Sequence, residues 1–300
     1  MKGSFLGVIG HAAIDVIMQV EYMPKPKTST PVIDKIIRYG GTGANIAKAA
    51  GEMGVPVRLA SWVGDDFPEN FKSSLERSGV DLSDLMICID RSTTTCWIIN
   101  DAKREQMVLI DQGAMGYPEE MKIPVETIDR CEILHIGTGP PSLYEEIVKN
   151  TSDQIIAFDP AQELDYLYEP DTFLSILKRS KYFFCNEREY GIALSFVDGK
   201  EPDDILEYVE VMIVTKGEAG SVLYSRNEAL DIPVYTPEKI VDPTGAGDAY
   251  RSGFYAGLHR GLPLEECCKA GSARASFAVE ISGPQEGSVS WKNILERMRN

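Results

Sequence analysis

Short apolar runs alternate with amphipathic stretches along almost the whole chain. Residues 5–9, 57–63, 132–136, 155–158, 182–185 and 211–214 read as buried strands, each ending near Gly, Asp, Asn or Thr. Between them, helical spacing predicts helices over 44–53, closed by Gly54, and 68–78, closed by Gly79. Further helices are expected over 143–149, 172–178, 205–209 and 249–260. Alternating β and α segments favour a mostly parallel sheet covered by helices on both faces.

One region breaks this rhythm. From Met86 to Ile110 the apolar positions recur every second residue, through Thr95-Cys96-Trp97-Ile98-Ile99, a polar turn over 100–104, and Gln106-Met107-Val108-Leu109-Ile110. That is a β-hairpin with one apolar face. Residues 15–20 and 32–37 are also strand-like, so a small second sheet is expected from residues 12–38 and 86–111, as a lid over a site or a dimerisation patch. No linker or repeat divides the chain, and a single domain over 1–300 is expected.

Charge and composition narrow the function. Thirty Lys and Arg against 46 Asp and Glu give a net charge of −16, which excludes a protein whose main task is gripping nucleic acid. No apolar run approaches the roughly 18 residues of a membrane span, and the opening segment is too Gly-broken for a signal sequence. No membrane partner is expected, and the chain reads as cytoplasmic. The cysteines, at 88, 96, 131, 185, 267 and 268, form no CxxC pair, and with only His11, His135 and His259 they offer no zinc-ligand spacing.

The strongest local signal is Asp242-Pro243-Thr244-Gly245-Ala246-Gly247-Asp248, which runs into a helical pattern. Two glycines at a helix start leave free backbone N–H groups pointing outward, and the helix dipole adds positive character, so the loop suits a phosphate. Asp248 then lies in the first turn, either as a cap or as a carboxylate beside the phosphate cradle. A second cluster, Gly40-Gly41-Thr42-Gly43-Ala44-Asn45, also opens a helix, and Asn45 offers donors and an acceptor to a polyol. Asp15, at a strand end, has two oxygens for two hydroxyls. There is no GxxxxGK[ST] phosphate loop, and Gly7-Val8-Ile9-Gly10 lacks dinucleotide spacing, which disfavours hydride transfer.

Taken together, the two glycine clusters resemble the signatures of the PfkB family of ribokinase-like carbohydrate and nucleoside kinases. Val63-Gly64-Asp65-Asp66-Phe67, Phe158-Asp159-Pro160, Asn186-Glu187-Arg188-Glu189 and Val214-Thr215-Lys216-Gly217 follow in the family's order. The resemblance implies a ribokinase-like three-layer α/β/α sandwich with a small β lid. It further implies ATP-dependent phosphorylation of a primary hydroxyl, with Asp248 as catalytic base and Gly245, Ala246 and Gly247 as the anion hole. Asp15, Gly41 and Asn45 match acceptor-binding positions; Asn186, Glu189, Thr215, Gly217 and Thr244 match positions around the nucleotide. Glu189 would order the waters of a Mg²⁺ ion, and Asp242 would serve a monovalent cation such as K⁺. Residues 270–277 and Gly283 resemble the adenine wall and the cation loop.

Arg251 stands where the family often has Asn or a small residue, with an acid or a phosphate open to it as partner. Residues 157–164 and the compact length resemble archaeal nucleoside kinases, and Trp97 is either a base-stacking residue or hairpin core. The 5′-hydroxyl of a nucleoside is therefore the expected acceptor. A ribokinase, fructokinase or 2-keto-3-deoxygluconate kinase is the alternative, and a homodimer through the lid is expected. A binding protein without turnover would have lost Asp248 or the loop glycines, and all are present.

Overall fold

A computed structural model describes residues 3–103, 105–226 and 228–299. The chain opens with β1 (Ser4–Ile9), β2 (Ala13–Val20) and β3 (Val32–Gly40), followed by α1 (Thr42–Glu52), β4 (Val57–Gly64), α2 (Glu69–Arg77) and β5 (Val80–Cys88). A hairpin of β6 (Thr95–Asn100) and β7 (Gln106–Asp111) leads to α3 (Val125–Arg130), β8 (Cys131–Ile136), α4 (Pro141–Lys149), β9 (Ile155–Phe158), α5 (Pro170–Leu177) and β10 (Ser180–Asn186). The last part holds α6 (Glu187–Phe196), α7 (Pro202–Leu206), β11 (Val211–Thr215), β12 (Ser221–Ser225), β13 (Glu228–Ile232), α8 (Ala246–His259), α9 (Leu264–Ala278) and α10 (Trp291–Arg297).

The large sheet runs β13-β12-β11-β10-β9-β8-β1-β4-β5. Its members are parallel except at the β12 and β13 end. Successive side chains of β10 point to opposite cores: Phe184 joins Leu6, Val8, Phe254 and Tyr255, while Phe183 joins Ile136, Phe158, Phe173 and Met212. Both faces are therefore buried, which explains why these strands read as unbroken apolar runs. The expected three layers are present. Because the inner strands are parallel, their C-terminal ends gather His11, Asp159, Asn186 and Thr215 along one edge, where open α/β sheets bind ligands.

The second sheet runs β3-β2-β6-β7. Its extent differs from the expectation: Met86 and Ile87 pair with Trp62 and Val63 in the large sheet, and the hairpin begins at Thr95. The reason is that a half-exposed edge strand alternates in the same way as a lid strand. Met86 and Cys88 pack inward while Ile87 and Ile89 face out. Arg104, in the expected polar turn, and Met1 and Lys2 lie outside the described residues.

Helix starts also shift. Pro170 and Pro202 occupy the first turns of α5 and α7, earlier than periodicity places them, since proline suits a position whose N–H needs no partner. Helix α9 escapes the pattern altogether. It meets α8 through small residues, so close that a Cβ on Gly253 would lie 2.5 Å from the Ala270 carbonyl oxygen. A seam of that kind has no apolar stripe to detect.

Candidate active site

Helix α8 starts from Gly245, whose φ of 78° favours glycine. A side chain there would also strike Pro284, whose Cα lies 3.1 Å from the Cβ position. The Ala246 N–H donates to the Pro243 carbonyl at 3.2 Å. The amides of Gly247 and Asp248 meet no backbone acceptor among the described residues, so they stand open at the positive end of a 14-residue helix. Asp248 does not cap the helix. Its Oδ2 accepts from Asn45 Nδ2 at 2.8 Å, and burial pushes its pKa up to about 7 against the opposing effects of Asn45 and Arg251.

The second glycine cluster lies across from this carboxylate. Gly41 precedes α1 at φ 87°, and a Cβ there would sit 2.7 Å from the Ala13 nitrogen. Asp15 in β2 pairs with Arg38 on β3 and Cys96 on β6. Burial raises its pKa to about 6, opposed by the Cys96 thiol hydrogen bond and the Arg38 charge. The Asp15 charge in turn contributes to the rise at Asp248, so the two carboxylates share one field.

On the other side of α8 a cavity of about 420 Å³ is lined by Thr215, Gly217, Tyr235, Ile240, Gly247 and Ala275, among others. Ile240 is 76% exposed, an apolar side chain turned to the cavity mouth. Thr244 lies outside the lining; its N–H donates to Asp242 Oδ1 at 2.9 Å, while Asp242 Oδ2 accepts from Gly283 N at 3.2 Å. Asn186 and Glu189 form a reciprocal capping box on α6, with Glu189 buried and its pKa raised by desolvation and by Asp159.

Two features were invisible in the sequence. Arg251 is buried and holds Asp159 with Nε at 2.8 Å and Nη2 at 3.2 Å, which settles its partner as an acid. Beside the pair, His135 stays neutral, its pKa driven down to about 4 by burial, with Nδ1 on the Tyr255 hydroxyl at 2.8 Å. A polar chain also runs from Thr42 to Thr138 (2.6 Å), His11 (2.7 Å), Gln112 (2.7 Å) and Glu163 (3.0 Å). It ends near Cys96 and the exposed Tyr166. These contacts span the fold, and no short motif encodes them. Trp97 is half-buried within the lid, paired with Val16 and Leu109.

Among the described residues no three His, Cys, Asp or Glu side chains converge on a metal position. None of the described helices is long and apolar enough to cross a membrane.

An apolar cavity that ends at open amides beside a buried carboxylate is what a transferase moving phosphoryl groups onto alcohols requires. The chain belongs to the pfkB family of carbohydrate kinases, whose model matches residues 4–292. It is 35% identical to a nucleoside kinase of Methanocaldococcus jannaschii over 292 residues, covering 97% of this chain and 95% of that protein. A cytidine kinase of Thermococcus kodakarensis is 30% identical over 293 residues, with 93% and 97% covered. The crystal structure of the M. jannaschii enzyme, described as an archaeal member of the ribokinase family, superposes with a TM-score of 0.91 at 33% identity, covering 100% of this chain and 99% of that one. The protein is thus a phosphotransferase of the ribokinase fold.

Proposed function

We propose that the protein transfers the γ-phosphoryl group of ATP to the 5′-hydroxyl of a nucleoside. The observation that carries this reading is Asp248, a carboxylate with a raised pKa held by Asn45 in the first turn of α8, beside open amides. A base with a pKa near 7 accepts the hydroxyl proton as the oxygen attacks. The amides of Gly245, Ala246 and Gly247 face the charge that spreads over the transferred group, Ala246 once its N–H leaves the Pro243 carbonyl. The cavity takes the adenine, Thr215 and Gly217 lie along the phosphates, and Thr244 belongs to the turn that presents the amides to them.

A Mg²⁺ ion keeps most of its waters and neutralises phosphate charge, so it needs no direct cluster of ligands. Glu189 and Asp159, two buried carboxylates of which only Asp159 is ion-paired with Arg251, fit such a hydrated cation, because a positive charge relieves the cost of their burial. Each Asp242 oxygen bonds a single amide and keeps a free lone pair, which fits K⁺.

Asp15 and Gly41 hold the sugar hydroxyls, while Asn45 adjoins them and steadies the base. The exposed Tyr166 hydroxyl at the end of the polar chain offers a donor and an acceptor for a nucleobase edge, which favours a nucleoside over a free sugar. The lid edges leave Ile33, Ile37 and Leu109 at 64%, 57% and 53% exposed, a surface suited to a second copy of the chain. Six free thiols fit a reducing cytoplasm. A coupled ADP-release assay against nucleosides, ribose, fructose and 2-keto-3-deoxygluconate tests the reading. Nucleosides should give the highest kcat/KM; a sugar ahead of every nucleoside overturns it.

A further inference from the structure

The loop over 282–285, between α9 and α10, touches both halves of the site. Gly283 N–H bonds Asp242, and Pro284 packs against Gly245 at the start of α8. Gln285 Nε2 donates to Asn45 Oδ1 at 2.9 Å, and its carbonyl accepts from Lys48 Nζ at 2.6 Å. The loop therefore braces both Asn45 and the turn that presents the open amides.

Arg38 extends this contact to the lid. From β3 its Nη2 donates to Ser282 Oγ at 3.0 Å, and its guanidinium lies over Gly283, where a Cβ would come within 3.1 Å of Cζ. Gly283 itself has φ 99°, so glycine is favoured at that spot on two counts. In the lid sheet Arg38 is the cross-strand partner of Asp15. Its Nη1 is buried, yet no acceptor reaches it among the described residues. A buried donor left unpaired is costly, so this nitrogen calls for an oxygen from outside the chain.

We propose that Arg38 is an acceptor-binding and positioning residue. Its Nη1 takes a hydroxyl oxygen of the polyol whose other hydroxyls Asp15 holds, while its Nη2 holds the 282–285 loop. This rests on the acceptor reading above. Because the guanidinium is a rigid planar fork, fixing one nitrogen on the acceptor fixes the other on Ser282. Acceptor binding is thereby transmitted through Gly283, Pro284 and Gln285 to Asp242, Gly245 and Asn45. The two substrates then strengthen each other's binding, reciprocally.

The test uses Arg38→Met, Arg38→Lys and Ser282→Ala in the full chain, with the acceptor that the wild type turns over fastest among nucleosides and sugars. Acceptor KM, kcat and the Kd of a non-hydrolysable ATP analogue, with and without acceptor, are measured. In the wild type the acceptor should tighten analogue binding at least about fivefold. Arg38→Met should raise acceptor KM about tenfold and abolish that tightening, with Arg38→Lys restoring part of the KM. Ser282→Ala should lose the tightening and raise acceptor KM at saturating ATP by no more than that lost coupling, about fivefold and less than Arg38→Met, which a merely structural role would not produce. Absence of tightening in the wild type, its persistence in Ser282→Ala, or an unchanged KM in Arg38→Met overturns the proposal. A wild type that turns over no nucleoside or sugar instead overturns the acceptor reading, and the role of Arg38 with it.

Discussion

The Asn45 carboxamide donates to the Asp248 carboxylate at 2.8 Å although the two residues stand 203 positions apart. That bond joins the two glycine clusters into one site. It also opposes burial, since it favours the charged form of the carboxylate that desolvation disfavours.

A pH profile reads this balance directly. Asp248 must be ionised to accept a proton, so kcat/KM should fall as pH drops through about 7. Asn45→Ala removes the bond and should move that acidic limb upward by about one unit, at about 1.4 kcal/mol per unit. The deficit relative to wild type should then be larger at pH 6.5 than at pH 8.5. An equal deficit at both values contradicts the assignment.

Substituting Asp248 itself separates chemistry from folding. Asp248→Asn should lower kcat by at least about 10³-fold, on the scale of lost proton transfer and charge placement, while an ATP analogue still binds. The linkage sign is set by the raised folded pKa: the ionised carboxylate costs the folded state stability progressively from about pH 4 to about 7, and the cost is complete above that. The variant should therefore melt higher than wild type by several degrees at pH 8, and by little at pH 4. Calorimetry at the two values decides it.

Gly245→Ala places a methyl group against Pro284 in a left-handed conformation. A loss of about 1–3 kcal/mol in urea unfolding is expected, together with a fall in kcat exceeding any change in the Kd of an ATP analogue. Wild-type stability and turnover in this variant remove the claim that the loop is held by that contact.

Breaking the buried pair should be costlier than replacing it. Arg251→Met leaves Asp159 unpaired in the interior and should destabilise by about 3–5 kcal/mol. Adding Asp159→Leu should recover more than half of that loss, because two apolar side chains need no counter-charge. A double variant no more stable than the single one argues against charge burial as the cause.

The lid surface makes its own prediction. Ile33→Glu with Leu109→Lys places charges on exposed apolar positions at the two edges of the lid sheet. Sedimentation should show the wild type as a dimer and the variant as a monomer at the same concentration. A monomeric wild type excludes the lid interface.

Periodicity and glycine placement made the layered architecture, the lid and both loops readable from the sequence, because buried parallel strands and phosphate-type turns leave local marks. Asp248, Gly41, Gly245 and Asp15 could be singled out for the same reason: each sits at a turn or strand end whose conformation or position is written in its neighbours. Other decisions lay beyond any local window. Whether 86–88 belonged to the lid or the large sheet depended on pairing with β4. Helix α9 depended on a close backbone approach to α8. The partner of Arg251, the bond between Asn45 and Asp248, and the bridge from Arg38 to Ser282 join residues 92, 203 and 244 positions apart. Burial and charge pairing are properties of the assembled interior, so only the tertiary structure could decide what holds the Asp248 carboxylate and in which direction its ionisation shifts.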